Sequence, residues 1–346
     1  MSDIMMDTAT IANTVRLASR APSLHNTQPW RWIADSPGPS RSSRPQGLDR
    51  SSRPQRLRLF LDPDRVVHSA DRSAREAVIS CGAMLDHVRV AMAASGWSTS
   101  VERFPNPNNP DHLATLSIRP MDYVTDALRR RADAILVRRT DRLPMAAYAA
   151  WNSFEPVLRA RLEGRPVHLD VLSDDVRPEL AEASALSDSL RLYDSAYHAD
   201  LQWWTTPFAT EDGIPQDALI SAEESERVAV SRAFPVTAHS ERRRNIEKDA
   251  ATIVVLSTDG THREDALYCG EALSTLLLEC TMIGLGTCPV THLTELPVGR
   301  DLIGTLIGRD SCPQLLVRIG IAPSIGELPP PTPRRPVEAI LSWESQ

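Results

Sequence analysis

Three stretches of this 346-residue chain concentrate side chains able to hold a charged or planar ligand. Arg138, Arg139, Thr140 and Arg142 set three guanidinium forks and a hydroxyl within five residues, a pattern suited to clamping a phosphate monoester. The same run could serve only as a solvated helix end, because Arg129, Arg130 and Arg131 lie just upstream. Pro22, Ser23, Asn26 and Gln28 crowd short polar groups ahead of Trp30, where they could hydrogen-bond a flat heterocycle or their own turn. His25, between them, reads as a packed or solvent-facing histidine. Gly284 and Gly286 open Gly284-Leu-Gly-Thr-Cys-Pro-Val-Thr291 after a long apolar stretch. Two glycines there would let backbone approach a flat ligand, and would equally cap a helix and turn the chain.

Other chemistries are excluded by what the sequence lacks. Lys248 is the only lysine, and it sits in the polar run ERRRNIEKD. No Gly-Lys-Ser/Thr phosphate loop exists, and no buried Schiff-base lysine is available. Any phosphate must be held by arginine or by backbone N–H groups. No G-x-G-x-x-G follows a strand into a helix, so a Rossmann dinucleotide site is not supported, and G-x-S-x-G, H-E-x-x-H and calcium-loop spacings are absent. The five cysteines are dispersed with no C-x-x-C pair, and Cys81, Cys269 and Cys280 lie on apolar helical patterns; this reads as reduced buried thiols in a cytoplasmic protein without zinc. A net charge of −7 argues against a nucleic-acid partner. No apolar run of about 20 residues is present, so no membrane span is expected, and the first residues carry no signal-peptide pattern.

The elements that must position these residues can be read from periodicity. Residues 8–20 read as a helix ended by Ala21-Pro22, followed by a strand at 30–33. Residues 35–56, rich in Ser, Arg and Pro with SSRPQ occurring twice, read as a low-complexity loop. A strand is expected at 57–61, a long helix from 74, and a hairpin from 101–104 and 113–118. A helix from 124 to about 138 leads into the arginine run, and 175–200 read as further helix. Residues 201–221 read as an aromatic loop containing Trp203 and Trp204. A strand at 251–257, a helix from about 264 to 283, a turn at 284–289 and a last strand at 314–321 complete the expectation, and the Pro-rich tail carries Arg334 and Arg335.

One internal repeat stands out. Cys81-Gly-Ala-Met-Leu85 matches Cys269-Gly-Glu-Ala-Leu273, and at the same offset Val88 falls on Leu276, Met92 on Cys280 and Gly96 on Gly284. The reading is two similar α+β halves, 1–122 and 123–346, each built around one central helix and packed as a dimer within one chain.

The combined strings SRAPSLHNTQPWRW (19–32), ILVRRTDRLP (135–144), YHADLQWWT with DGIP (197–215), GEALSTLLLECTMIGLGTCPV (270–290) and LPPPTPRRPVEAI (328–340) resemble the Acg family of the FMN-dependent nitroreductase superfamily. The resemblance implies a nitroreductase-like α+β fold and an FMN site shared between the two halves. It assigns Arg138, Arg139, Thr140 and Arg142 to the phosphate and ribityl chain, and Pro22, Ser23, Asn26 and Gln28 to the loop reaching the flavin ring. It assigns Pro289, Val290 and Thr291 to the backbone near flavin N5, and Arg334 or Arg335 to the phosphate. It also implies a lid at about 194–222. The N-terminal half has no R-R-T-x-R run, and Gly96-Trp97-Ser98 stands where the other half has the Gly-Leu-Gly turn, so one FMN per chain is expected. The implied activity is hydride transfer from NAD(P)H through FMN to a nitro compound or quinone, with no obligatory catalytic side chain; the alternative is an FMN storage or sequestration protein. The partner would be a small electron acceptor, and the chain a monomer or weak homodimer.

Overall fold

The structure, a computed structural model, describes residues 5–36, 55–206, 213–235, 241–325 and 331–344. The N-terminal part runs α1 (Thr8–Ala18), β1 (Trp30–Ala34), β2 (Gln55–Leu61), α2 (Arg75–Ala94), β3 (Trp97–Arg103), β4 (His112–Pro120) and α3 (Asp126–Val137). There follow α4 (Trp151–Leu162), β5 (His168–Leu172), α5 (Arg177–Leu190), α6 (Ser195–Trp204), α7 (Ala222–Glu226), β6 (Thr252–Thr258), α8 (Arg263–Met282) and β7 (Leu285–Val290). The chain closes with α9 (His292–Glu295), α10 (Pro297–Ile307), β8 (Cys312–Ile321), α11 (Val337–Ile340) and β9 (Leu341–Trp343).

Local chemistry accounts for the main elements. Asp7 caps α1 by accepting from Thr10 N at 2.8 Å, and Ile11, Thr14, Val15 and Ala18 form its buried stripe at helical spacing. In β2 the alternation of Gln55-Arg-Leu-Arg-Leu-Phe-Leu61 puts Leu57, Leu59 and Leu61 inside. The helices α2 and α8 are buried nearly all round, so apolar residues recur on every face, with Asp86, His87, Glu271 and Glu279 among their buried polar groups. Among the described residues α2 alone is long and apolar enough to cross a membrane, and it lies packed at the centre of the fold.

These two helices cross at the repeat. A Cβ on Gly82 would stand 2.2 Å from Leu267 O and 2.9 Å from Gly270 Cα; one on Gly270 would stand 2.0 Å from Ile79 O and 2.8 Å from Gly82 Cα. The contacts are reciprocal under the 188-residue offset, as a local two-fold axis requires. The sheets repeat the pattern, in the order β3-β4-β2-β1 on one side and β7-β8-β6-β5 on the other, with antiparallel pairing in each. Each central helix ends in a left-handed glycine, Gly96 at φ +86° and Gly284 at φ +79°, that turns the chain into the following strand. The exception is β9, which leaves the second half and pairs parallel with β1 through Trp32 and Leu341. One apolar core runs through α1, β1, β2, α2, α8, β6 and β8.

Several expectations are corrected. The stretch 175–200 is two helices, because Asp194 caps α6 by accepting from Tyr197 N and restarts the chain. The turn expected at 284–289 is the strand β7, paired with β8 despite Pro289. The strand at 314–321 is not the last, since β9 follows, and β2 begins two residues early at Gln55. Residues 37–54 of the low-complexity stretch lie outside the described residues.

Candidate functional site

A cavity lies where the loop after α1, the N-terminus of α2, the segment after α3, β7 and the C-terminal tail meet. It has two chambers sharing Pro22, Ser23, Thr140, Arg142 and Ile214 as walls.

The larger chamber, about 240 Å³, is cationic. Arg138 follows the last turn of α3 and is buried; its Nη2 donates to Arg20 O at 2.8 Å, while Nε and Nη1 have no acceptor among the described residues. Arg334 donates Nε to Ser19 O at 2.8 Å and Nη2 to Arg20 O at 3.2 Å. Among the described residues no carboxylate pairs with Arg20, Arg138 or Arg334. Burial, and repulsion among these arginines and Arg139, therefore lower all three, Arg138 to about 10 and Arg334 to about 9. Arg242 and Arg243, on the same wall, are already matched, by Glu224 at 2.8 Å and Asp141 at 2.6 Å. Crowded guanidiniums with donors to spare are chemistry suited to an anion.

The arginine run is pinned there by β7. Thr140 bridges Thr287, and Asp141 N donates to Thr287 O at 2.8 Å. Arg142 sits at the seam of the chambers, its Nη1 donating to Ala218 O at 3.3 Å and its guanidinium 5.2 Å from the Phe234 ring.

The smaller chamber, about 120 Å³, is walled by Ile79, Leu273, Leu315 and Phe234, with Pro289, Val290 and Thr291 along one side. The polar side chains at its wall include His25, Glu76, Ser80, Arg232 and His292. Burial holds both histidines well below the usual range, so they are neutral. Arg232 ion-pairs with Glu295, gives Nη1 to Tyr197 Oη at 2.8 Å and Nη2 to Thr291 Oγ1 at 3.2 Å; Arg191 holds the other side of Glu295 at 2.7 Å.

The loop before β1 owes its shape to left-handed backbone at His25 (φ +48°), Asn26 (φ +63°) and Gln28 (φ +51°), conformations that cost non-glycine residues free energy and cluster at ligand sites. It is braced by Gln28 N donating to Ser23 Oγ at 3.0 Å, Leu24 N to Ser80 Oγ at 3.2 Å and Asn26 Nδ2 to Pro333 O at 3.2 Å.

Most residues singled out in the sequence meet here. Pro22, Ser23, Thr140 and Arg142 line both chambers; Asn26, Arg138, Arg139 and Arg334 line the cationic one; Pro289, Val290 and Thr291 line the apolar one. Two do not. Gln28 turns inward and accepts from Arg335 N at 2.9 Å, and Arg335 lies 3.5 Å from Asp62. The pair ties the tail to the loop without reaching the cavity, so Arg334 is the tail arginine that faces it. Trp203 is exposed and Trp204 packs near Arg65; neither lines a chamber. Among the described residues the cover comes from Ile214, Pro215, Ala218 and Ile220, together with Arg232 and Phe234; residues 207–212 of the expected lid lie outside the described residues. Sequence reading missed Arg20, Glu76, Arg232 and Phe234. Arg20 was legible as the basic neighbour of the Pro22 loop; the others carry no local signal, because only the fold brings them in.

No family model matches the chain. In Mycobacterium tuberculosis (strain ATCC 25618 / H37Rv), the protein named "Putative NAD(P)H nitroreductase acg" is 52% identical over 341 residues, 99% of this chain and 98% of that protein. From the same strain, "Uncharacterized protein Rv3127" is 47% identical over 331 residues, 96% of this chain and 92% of that one. A crystal structure of a "putative nitroreductase" from Anabaena variabilis ATCC 29413 superposes with a TM-score of 0.58 at 9% identity, covering 92% of this chain and 90% of that one, a likeness of fold. The chain belongs to the Acg family of the nitroreductase superfamily, and its α+β fold is nitroreductase-like.

Proposed function

We propose that this chain is an FMN-dependent oxidoreductase that takes electrons from NAD(P)H and delivers them to nitro compounds or quinones. The observation that carries the reading is the continuity of an apolar chamber with a cationic one, where two nitrogens of the buried Arg138 guanidinium have no acceptor among the described residues. A flat ring system bearing a phosphate on a flexible chain matches that pairing of environments. Arg20, Arg138, Arg139 and Arg334 would neutralise the phosphate. Pro22, Ser23, Asn26, Thr140, Arg142, Pro289, Val290 and Thr291 would wall the remainder, while Ile79, Leu273 and Leu315 exclude water. Bound FMN would supply the hydride-transfer chemistry.

The halves 1–122 and 123–346 act in this reading as a fused dimer with one flavin, so the flavin site needs no second chain, whether the protein is a monomer or a weak homodimer. Support comes from the symmetry-related position. There Tyr268, the counterpart of Ser80, lies under Arg103 at 4.3 Å, and Arg103 is bound to buried Glu271 at 2.8 Å. All five cysteines are unpaired, which suits a reducing cytoplasm.

A second reading, flavin storage, is favoured by the cover over the apolar chamber, which Arg232 pins to Glu295 and Tyr197. The visible spectrum of freshly purified protein, followed during NAD(P)H addition, separates the two. Bound flavin that bleaches and recovers with a nitroaromatic supports the oxidoreductase; flavin that does not bleach supports storage. Colourless protein that takes up no FMN refutes both.

A further inference from the structure

Glu76, in the first turn of α2, stands at the wall of the apolar chamber and is 3% exposed. Arg75 Nη2 donates to its Oε1 at 3.1 Å, whereas Oε2 is buried with no partner among the described residues. Arg75 cannot give Glu76 its whole charge, since it also donates to Gln314 and Thr294. The other nearby cations are committed elsewhere: Arg191 and Arg232 both hold Glu295, which is fully buried. Glu295 is therefore the carboxylate with which both arginines are matched. It and Asp71 oppose a second charge on Glu76, while Arg75 and Arg232 favour one. The neutral His25 and His292 add no counter-charge. Burial outweighs the rest and pushes the Glu76 carboxyl up to about 8. With Oε1 accepting from Arg75, the proton of the neutral acid falls to Oε2, which has no hydrogen-bond partner among the described residues.

We propose that Glu76 is a specificity-determining residue, a neutral carboxylic acid whose Oε2–H donates a hydrogen bond to an oxygen of an uncharged planar ligand that shares the apolar chamber with the flavin ring. Nitro and quinone oxygens are acceptors of this class. The choice of ligand rests on the oxidoreductase reading; the protonated state of Glu76 does not. A buried donor that is otherwise unsatisfied discriminates strongly against ligands lacking the acceptor, because the donor is then left unpaired.

The probe is nitrobenzene, titrated into flavin-loaded protein without NAD(P)H, so that no reduction occurs, with toluene as an isosteric control lacking the oxygens. Glu76→Gln keeps an acceptor for Arg75 and a donor at the free position, so its nitrobenzene affinity should match wild type at pH 6.5. Wild type should lose affinity as pH rises past about 8, and Glu76→Gln should not. Glu76→Ala should bind nitrobenzene about tenfold more weakly, one hydrogen bond's worth, and toluene no more weakly than wild type does. In parallel, a carbon-13 NMR titration follows the Glu76 carboxyl, assigned by its loss in Glu76→Gln, whether or not flavin is bound. A carboxyl titrating in the ordinary range near 4.5 overturns the proposal. So does a Glu76→Ala variant that binds nitrobenzene like wild type, or a wild type that does not bind it. Absence of flavin from the protein would instead refute the cofactor reading and leave the NMR arm decisive.

Discussion

Replacing Arg138 with methionine should push two properties in opposite directions. In the flavin-free protein the buried guanidinium has neighbours of its own sign and one carbonyl partner. Its fall from 12.5 to about 10 corresponds, at about 1.4 kcal/mol per pH unit, to a charged form roughly 3 kcal/mol less favourable than in water. Methionine removes that penalty, keeps an apolar chain of similar length, and forfeits a hydrogen bond to Arg20 O of about 1 kcal/mol. The flavin-free variant should therefore gain roughly 2 kcal/mol of stability. FMN, by contrast, would lose a charge-assisted contact of about 1.5–3 kcal/mol, a 10- to 150-fold rise in Kd. Urea unfolding of stripped protein measures the first change, and quenching of FMN fluorescence on titration measures the second. A variant that loses stability when stripped yet holds FMN as tightly as wild type would refute the assignment of Arg138 to an anion site.

Arg334→Ala should weaken FMN retention by a similar factor, whereas Arg335→Ala, whose side chain lies against Asp62 and outside the cavity, should leave it unchanged; flavin released on dialysis distinguishes them. Gly270→Ala should lower the thermal midpoint sharply or prevent folding, because its Cβ would press on backbone of α2 at Ile79 O and Gly82 Cα; an unchanged midpoint would contradict the crossing. Stability should fall as pH rises from about 5 to 8, because Glu76 keeps its proton in the folded protein while the unfolded chain has lost it. Glu76→Gln should flatten that slope in urea melts, and equal slopes would contradict the buried acid.

Much of the site was legible because its residue types are rare in combination and sit at element ends. Arg138 to Arg142 close a helix whose amphipathic pattern is plain, and the Pro22 loop is bounded by Ala21-Pro22 and by the Trp30 strand. The repeat was legible because a helix crossing that allows no Cβ demands glycine on both sides, leaving Cys-Gly in each copy. What stayed hidden depends on long-range pairing. β7 reads locally as a glycine turn, and only β8 makes it a strand. Glu76 and Glu295 are ordinary helix-end carboxylates until the fold buries their side chains near one another. The tryptophans at 203 and 204 drew attention by size, yet the chamber is covered by less conspicuous residues downstream, placed by Ile214 N donating to Trp204 O at 2.7 Å.

The central claim is that both ends of one chain close a single flavin site. Flavin released from a weighed amount of purified protein after saturation with FMN, counted by absorbance, tests it directly. One FMN per chain is predicted, falling well below one in Arg138→Met at limiting FMN. Two per chain, or none, would contradict the account.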